Sequence, residues 1–313
     1  MKVLVLGDAN VDIELRLPTD TEKETRTHPD PLMFGGGSAA NTAAALGKLG
    51  TPCGFLGTVG DDSYGRFAVQ SLVDAGVDTD LVRFVADEPT VMVMVVIPPD
   101  GERLIYVWPP SGGAHRALDP DEATRAVAGV DWLHVSGLCL RVTPAREAIL
   151  AGMTHARSNG IPVSFDLNLR LENWGWDDGF RAVVEDAVAS ADFVLGSATD
   201  ELMPLTGATD PIAACEAVAA GQRTAVARIG KDGAIARSGT ESVTASGFTV
   251  DVVDTVGAGD AFNAGFIAAS LDGLDLREAL RWGNAVAALS IGRHGARSTP
   301  TRDTVIRFLA QGE

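Results

Sequence analysis

Residues 254–260 of the chain, with the sequence DTVGAGD, place a carboxylate beside two glycines. A helix is predicted from Asp260 onward, and Gly257 and Gly259 let the backbone before it turn so that several amide hydrogens point to one spot. The helix dipole adds partial positive charge there, which suits a transferring phosphoryl group. Beside such a site, a carboxylate can act as a general base toward an incoming hydroxyl. The alternative is a glycine-rich turn whose aspartate only complements the helix dipole.

Two earlier segments carry residues suited to a polyhydroxylated ligand. Residues 7–12 have the sequence GDANVD, and residues 35–41 have the sequence GGGSAAN. Asp and Asn side chains can each bind paired hydroxyls, and glycines allow a ligand to approach the backbone closely. The residues concerned are Asn10, Asp12, Gly36, Gly37 and Asn41. For Asn10 and Asp12 alone, an Asx-type turn after a strand is an equally good interpretation.

The elements that position these segments alternate between strands and helices. Apolar runs predict strands near 3–6, 53–57, 132–135, 163–166, 193–195 and 224–227, and helices near 39–49, 63–75, 144–158, 179–189, 260–271, 276–291 and 301–309. Repeated βα units imply a doubly wound, mostly parallel α/β sheet with ligands at the carboxyl ends of its strands. We expect one domain over residues 1–313.

One hairpin interrupts this alternation. Apolar runs at 91–97 and 104–108 flank the turn sequence PPDG. Because both alternating faces of the hairpin are apolar, something must cover it. A lid over a pocket, or pairing with a second subunit, would do so, and burial inside the main domain is the alternative. We expect a small β lid from about 11–34 and 90–110, and a homodimer formed through it.

Composition restricts the possible partners. The 313 residues carry a net charge of −17 and no cluster of Lys or Arg, so neither nucleic acid nor an anionic membrane is expected as a partner. A polyanionic ligand must instead meet backbone amides, a metal ion and a few local cations. The three cysteines lack a disulfide-like spacing and predict reduced, buried thiols. The absence of a long apolar run or a secretory pattern predicts a cytoplasmic protein.

Other enzyme classes are less well supported. Residues 35–40 formally match the dinucleotide-binding pattern G-x-G-x-x-G/A. Pro29 and Pro31 argue against a strand just before it, and the pattern leaves residues 254–260 unexplained. No P-loop, H-E-x-x-H or G-x-S-x-G sequence occurs, and the five histidines show no ligand spacing.

The segments 7–12, 35–41 and 254–260, taken in their order along the chain, resemble those of the PfkB (ribokinase-like) carbohydrate kinases. This is the family of ribokinase, fructokinase, adenosine kinase and 2-keto-3-deoxygluconate kinase. Residues 254–260 resemble the family's C-terminal signature, and residues 35–41 its N-terminal one. The likeness covers essentially the whole chain, including 7–12 (GDANVD), 166–170 (DLNLR), 230–234 (GKDGA), 284–288 (NAVAA) and Gly295-Ala296.

The resemblance implies a role for each matching residue. Asp260 would deprotonate the acceptor hydroxyl, and the amides of Gly257, Ala258 and Gly259 would form the anion hole for the γ-phosphate of ATP. Sugar hydroxyls would be bound by Asn10, Asp12, Gly36, Gly37 and Asn41. Arg170 would clamp a phosphate or a substrate carboxylate. A structural salt bridge from Arg170 to Asp166 is the competing interpretation.

By the same resemblance, a further set of residues would frame the nucleotide: Asn168, Arg228, Gly230, Gly233, Thr255, Asn284 and Gly295. Arg228 and Lys231 would lie near phosphates, or else be solvated surface charges. For the family's Asn-x-x-Glu, which organises Mg²⁺, the chain has SATDE at 197–201. Whether Asp200 or Glu201 is the metal-side carboxylate is therefore left open. Some relatives also bind K⁺ through an aspartate like Asp254.

The function implied is ATP-dependent phosphorylation of a sugar or sugar acid, with fructose or 2-keto-3-deoxygluconate favoured. The segment DLNLR followed by Trp174 and Trp176 supports this preference. A ribose or nucleoside kinase, and a non-catalytic sugar-binding sensor on the same fold, are the alternatives.

Overall fold

The apolar runs form the nine-stranded sheet of a computed structural model, which describes residues 2–17, 31–98, 104–110 and 112–311. The strands are β1 (Val3–Leu6), β2 (Asn10–Arg16), β3 (Leu32–Gly36), β4 (Cys53–Gly60), β5 (Val82–Val85), β6 (Met92–Ile97), β7 (Leu104–Trp108), β8 (Trp132–Ser136), β9 (Val163–Asp166), β10 (Phe193–Ser197), β11 (Thr224–Arg228), β12 (Ala234–Ser238) and β13 (Glu241–Ala245).

The helices cover both faces of this sheet. They are α1 (Ser38–Lys48), α2 (Ser63–Asp74), α3 (Pro120–Val127), α4 (Ala145–Ser158), α5 (Leu171–Trp174), α6 (Asp178–Ala189), α7 (Met203–Thr206), α8 (Pro211–Val218), α9 (Ala258–Leu271), α10 (Leu276–Ile291) and α11 (Arg302–Gln311). None of the described helices is both long and apolar enough to cross a bilayer.

The large sheet has the order β13-β12-β11-β10-β9-β8-β1-β4-β5. Strands β11 to β5 in this order are parallel, and β12 and β13 form an antiparallel edge. Along β1, Val3 and Val5 face a core shared with α1, α9 and α10, while Leu4 and Leu6 face a core shared with α3 and α4. This two-sided burial confirms the predicted doubly wound α/β fold.

A second, four-stranded sheet has the order β3-β2-β6-β7. It combines the segment after β1 with the predicted hairpin, as expected for the β lid. Every residue of β7 is exposed, including Ile105 at 61% and Tyr106 at 58%. Burial of the hairpin inside the main domain, the alternative raised above, is therefore excluded for β7. The connecting residues 99–103 lie outside the described part of the chain.

Two expectations from the sequence are wrong. Asn10 and Asp12 lie on β2, paired with Gly36 and Phe34 of β3, rather than in an Asx-type turn. Strand β3 also runs directly into α1, although Pro31 had argued against a strand there. Proline is compatible with the start of an edge strand, and β3 is an edge of the small sheet. Since β3 does not belong to the parallel sheet, the match to a dinucleotide-binding unit still lacks its structural context.

Candidate active site

The carboxylate of Asp260 lies in the first turn of α9 and is held by two side chains of α1. The Ser38 hydroxyl donates to Asp260 Oδ1 at 2.8 Å, and Asn41 Nδ2 donates to Asp260 Oδ2 at 3.1 Å. Helix α1 is itself fixed because Asp8, just after β1, accepts hydrogen bonds from the amides of Ser38 and Ala39. The N-termini of α1 and α9 therefore meet at one carboxylate at the carboxyl end of the sheet.

The start of α9 offers backbone donors beside this carboxylate. Gly257 has φ 78°, a left-handed conformation that only glycine adopts without strain. A Cβ there would also lie 2.7 Å from the Ala296 carbonyl oxygen. Among the described residues, no acceptor faces the amides of Gly257 and Gly259. Such unpaired first-turn amides can bind an anion.

The amide of Ala258, also predicted to contribute to the anion hole, already has a protein acceptor. This amide donates to the Thr255 carbonyl at 3.2 Å, because the left-handed Gly257 closes a tight turn over 255–258. In this conformation, the amides of Gly257 and Gly259 are the ones left to form the predicted anion hole. The catalytic roles of these residues remain predictions.

Burial in the cleft, followed by repulsion from Asp166, raises the pKa of Asp260 to about 7. A general base is most effective when its pKa lies close to the working pH. The hydrogen bonds from Ser38 and Asn41 lower the pKa and so keep the carboxylate form accessible. The geometry and the pKa both fit a base that accepts a proton near neutral pH.

This pKa predicts a pH dependence of the turnover. Only the deprotonated form of Asp260 can accept a proton, so kcat/KM for the acceptor should fall about tenfold per pH unit below 7 and level off above it. Initial rates between pH 5 and 9, with ATP saturating, measure this profile. A flat profile down to pH 5 would contradict the assignment of Asp260 as the base.

We call the space between Asp260 and the small sheet the cleft. On its lid side lie Asn10 and Asp12 of β2. Asn10 Nδ2 donates to Asp12 Oδ1 at 3.2 Å, while the buried Asn10 Oδ1 has no partner among the described residues. Burial raises the pKa of Asp12 to about 6, although nearby Arg297 lowers it. A Cβ on Gly36 would lie 2.5 Å from the Asp12 carboxylate, so a larger residue there would displace this carboxylate. An unpaired acceptor and a carboxylate are suited to bind hydroxyls.

Arg228 is the last residue of β11, and its guanidinium packs against Gly259 in the first turn of α9. Its guanidinium donates to Asp166 Oδ1 at 2.8 Å and to Asn263 Oδ1 at 2.7 Å, and lies 3.6 Å from Glu201 Oε2. The side chain is only 16% exposed. A solvated surface charge, one of the two interpretations of Arg228, is therefore excluded, whereas Lys231 is exposed. Asp166 forms its ion pair with Arg228. The competing salt bridge from Arg170 to Asp166 is not formed.

The candidate metal-side carboxylates differ in environment. Glu201 is buried and accepts hydrogen bonds from the amides of Leu169 and Ser197, and burial raises its pKa. Asp200 is exposed and accepts from the Ser197 hydroxyl at 2.8 Å. Arg170 is exposed in a left-handed conformation (φ 48°) beside them. Among the described residues, no group of three His, Cys, Asp or Glu could hold a metal ion alone.

The residues predicted to frame the nucleotide lie on different elements: Asn284 lies on α10, Arg228 ends β11, and Gly230 and Gly233 follow β11. Gly230 and Gly233 have positive φ values of 63° and 104°, and Asn168 has φ 35°. Asn284 Nδ2 donates to the carbonyls of Ala245 and Ser246, so only its oxygen remains for a ligand. Thr255 is exposed. Nucleotide contacts by these residues stay predictions.

Asp254 connects two loops. Its Oδ1 accepts from the Val256 amide at 3.1 Å, and its Oδ2 accepts from the Gly295 amide at 3.0 Å. Gly295 has φ 84°, and a Cβ there would lie 2.7 Å from the Phe34 ring. The buried carboxylate thus links the loop that contains Gly257 to the loop that contains Gly295.

The sequence interpretation missed Arg297. Its guanidinium lies between helices α1 and α2 and strand β3. Arg297 Nε donates to Asn41 Oδ1 at 3.1 Å, and Nη2 donates to the Gly36 carbonyl at 2.8 Å. The signal available in the sequence was an arginine directly after Gly295-Ala296, a segment that already matched the family. It was not used because the contact joins residues more than 250 positions apart.

Comparison with known proteins agrees with this geometry. The sequence model described as pfkB family carbohydrate kinase matches residues 1–302. The chain belongs to the pfkB family of carbohydrate kinases. It is 35% identical to an ATP-dependent ribose-1-phosphate kinase of Halopiger xanaduensis, over 99% of both chains. It is also 35% identical to an aminoimidazole riboside kinase of Salmonella typhimurium, over 99% of this chain and 95% of that one.

Solved structures show the same pfkB-family architecture. The Salmonella enterica aminoimidazole riboside kinase, complexed with aminoimidazole riboside and an ATP analog, is 32% identical and has a TM-score of 0.83 over 99% of this chain and 100% of that one. A Vibrio cholerae fructokinase double mutant with fructose, ADP and potassium ion is 30% identical, with a TM-score of 0.83 over 98% of both chains. The protein is thus an ATP-dependent carbohydrate kinase of this family.

Proposed function

We propose that the protein transfers the γ-phosphate of Mg·ATP to the hydroxymethyl group of a furanose sugar, with Asp260 as the general base. The observation that carries this proposal is the Asp260 carboxylate itself. It is held by Ser38 and Asn41 beside the unpaired amides of Gly257 and Gly259. An acceptor hydroxyl and a phosphoryl group can therefore be brought together at the N-terminus of α9.

The chemistry follows from this arrangement. The acceptor hydroxyl gives its proton to the Asp260 carboxylate while its oxygen forms a bond to the γ-phosphorus. The bond from that phosphorus to the β–γ bridging oxygen breaks, and ADP leaves. The amides of Gly257 and Gly259, with the dipole of α9, balance the charge on the phosphoryl oxygens. Closure of the lid over the acceptor would exclude water as a competing acceptor.

The chain offers few protein ligands for the ions involved. Mg²⁺ commonly takes one or two carboxylates and otherwise phosphates and water. Glu201 and Asp200 are the carboxylates that could supply this contact, and the bound ion would neutralise phosphate charge. The candidate group for K⁺ is Asp254, whose carboxylate accepts from the amides of Val256 and Gly295 beside the Gly257 turn.

The immediate surroundings of Asp260 favour a neutral acceptor group. Asn10 and Asp12 face the cleft, and Arg297 has every nitrogen engaged by protein acceptors. Among the described residues, Arg297 is thus held by protein acceptors near Asp12. Ribose, ribosides and fructose can all present a hydroxymethyl group on a five-membered ring, which is consistent with the relatives. A 2-keto-3-deoxy acid, also favoured from the sequence, would bring a further carboxylate close to Asp12 and Asp260, and it is the competing acceptor class.

A panel of acceptors tests the proposal. We would measure ADP release from Mg·ATP with ribose-1-phosphate, ribose, aminoimidazole riboside, adenosine, fructose and 2-keto-3-deoxygluconate. Strong turnover with a furanose, and weak turnover with the sugar acid, is expected. Preference for 2-keto-3-deoxygluconate would contradict the proposed acceptor class, and silence on every acceptor would contradict the kinase activity.

The exposed face of the lid also supports a homodimer. An edge strand of apolar residues such as β7 is prone to pair with another chain. We predict that Ile105→Lys converts a dimer to a monomer in sedimentation velocity at micromolar concentration. Ile306, on α11, is 50% exposed, and Ile306→Lys should leave the oligomeric state unchanged. A wild-type protein that stays monomeric, or an Ile105→Lys protein that stays dimeric, would exclude this interface.

A further inference from the structure

Arg297 occupies a position where it contacts both the residue that holds the base and the lid strand. Besides its bonds to Asn41 Oδ1 and the Gly36 carbonyl, Nη1 donates to the Ser71 hydroxyl and to the Ala68 carbonyl. A Cβ on Gly35 would collide with Nη1, so the neighbouring glycine makes room for the guanidinium. Four partners from β3, α1 and α2 therefore fix one planar group.

This fixed group determines how Asn41 is oriented. An asparagine amide can rotate to exchange its oxygen and its nitrogen. Because Arg297 Nε donates to Asn41 Oδ1, that oxygen is turned toward Arg297, and Nδ2 is left to donate to Asp260 Oδ2 at 3.1 Å. In the opposite orientation, the amide oxygen would face a carboxylate oxygen, which is repulsive. The hydrogen bonds thus run in one direction, from Arg297 through Asn41 to Asp260.

Arg297 is also the cation placed among the carboxylates of the cleft. It interacts electrostatically with Asp12 on β2, with Asp260 on α9 and with Asp8 after β1, and each of these carboxylates favours its charged form. Other charged groups face the same carboxylates from neighbouring elements: Asp254, Asp166 on β9 and Arg228 on β11. Lys48 of α1 donates to the Arg297 carbonyl.

We infer that Arg297 is a positioning residue for the phosphoryl transfer: it orients the Asn41 amide toward the base and balances the charge of Asp12 and Asp260. This inference rests on the proposed function, because it assumes that Asp260 accepts the acceptor proton. All three nitrogens of Arg297 donate to protein acceptors, so the protein itself fixes the position of the guanidinium. A lysine could keep the charge but could not reproduce the fork of donors.

Two substitutions separate orientation from charge. With Arg297→Met, kcat/KM for the best acceptor should fall by about 10²-fold, as expected for a misplaced catalytic group. Because Arg297 and Asp260 interact electrostatically, loss of the cation should move the acidic limb of the pH profile upward. With Arg297→Lys, the limb should return close to its wild-type position while kcat stays low. The KM for ATP should change by less than about threefold in both variants, since their defects lie on the acceptor side.

The matched control is Arg302→Met. Arg302 also donates to a carbonyl at the other end of α1, that of Leu49, but it pairs with Asp272 far from the cleft. This variant should lose stability without any shift of the acidic limb. A merely structural Arg297 would behave in the same way, with a lower melting temperature and an unmoved limb, and that result would overturn the inference.

A double-mutant cycle tests the path through Asn41. If Arg297 acts on kcat through Asn41, the loss in the double variant Arg297→Lys, Asn41→Ala should be clearly smaller than the product of the two single losses. Independent losses would overturn the inference. Wild-type protein that turns over no acceptor would instead refute the proposed function, so the two failures are distinguishable. Should Arg297→Met fail to fold, the Arg297→Lys variant and this cycle carry the test.

Discussion

Asp260→Asn is expected to lower kcat with the best acceptor by about 10²–10⁴-fold, the range typical of a lost general base. The amide can still accept a hydrogen bond from Ser38, but it cannot take the acceptor proton. Acceptor affinity should change little, because the side chain keeps its shape. Steady-state ADP release measures kcat, and calorimetric titration measures acceptor binding.

Asp186→Asn provides the matched control for this substitution. Asp186 is an exposed carboxylate on α6, and its replacement should leave both kcat and binding near wild-type values. An Asp260→Asn protein with more than about a tenth of the wild-type kcat would show that another group accepts the proton.

The largest expected effect on stability comes from Arg228→Met. The guanidinium lies between Asp166, whose side chain is 3% exposed, and Glu201. Removing it leaves two carboxylates buried without their cation, which typically costs about 3–5 kcal/mol of the free energy of unfolding. Urea denaturation at pH 8 measures this loss. It should shrink toward pH 5, because Glu201, whose pKa burial already raises, can then take up a proton.

Arg237→Met is the comparison for this change. Arg237 pairs with Glu216 at 3.5 Å, but the Glu216 side chain is 53% exposed. Such solvated pairs contribute about 0–1 kcal/mol. If Arg228→Met costs no more than Arg237→Met, the buried ion-pair network does not stabilise the fold as described. Arg228→Lys should lie between the two, because it retains the charge but cannot donate to both Asp166 and Asn263 in the same geometry.

Much of the large sheet and its helices could be predicted from the sequence, because buried parallel strands appear as short apolar runs. The predicted strands 3–6 and 163–166 and the helix 276–291 coincide with β1, β9 and α10. The DTVGAGD segment also indicated the start of α9, since glycines before a helix are typical of an anion site. These strands and helices could be predicted because each depends on residues that are close to one another in the sequence.

What the sequence did not indicate depends on distant pairing. Strands β2 and β3 carry mixed polar and apolar residues, and they become strands because each pairs with the other and β2 also with β6. Arg297 became interpretable only when folding brought it beside Asn41. The turn at Gly257, which diverts the Ala258 amide to Thr255, likewise depends on packing against Ala296. Local patterns predict elements, whereas these contacts need the assembled fold.

The most direct test of the account follows the phosphoryl group itself. Using ³¹P NMR, we would compare the ADP formed with the phosphate that appears on the acceptor preferred in the panel. The account predicts one phosphomonoester on the acceptor hydroxymethyl group for each ADP, and little of either product with Asp260→Asn. ADP accompanied only by inorganic phosphate, or a phosphosugar formed equally well by Asp260→Asn, would contradict it.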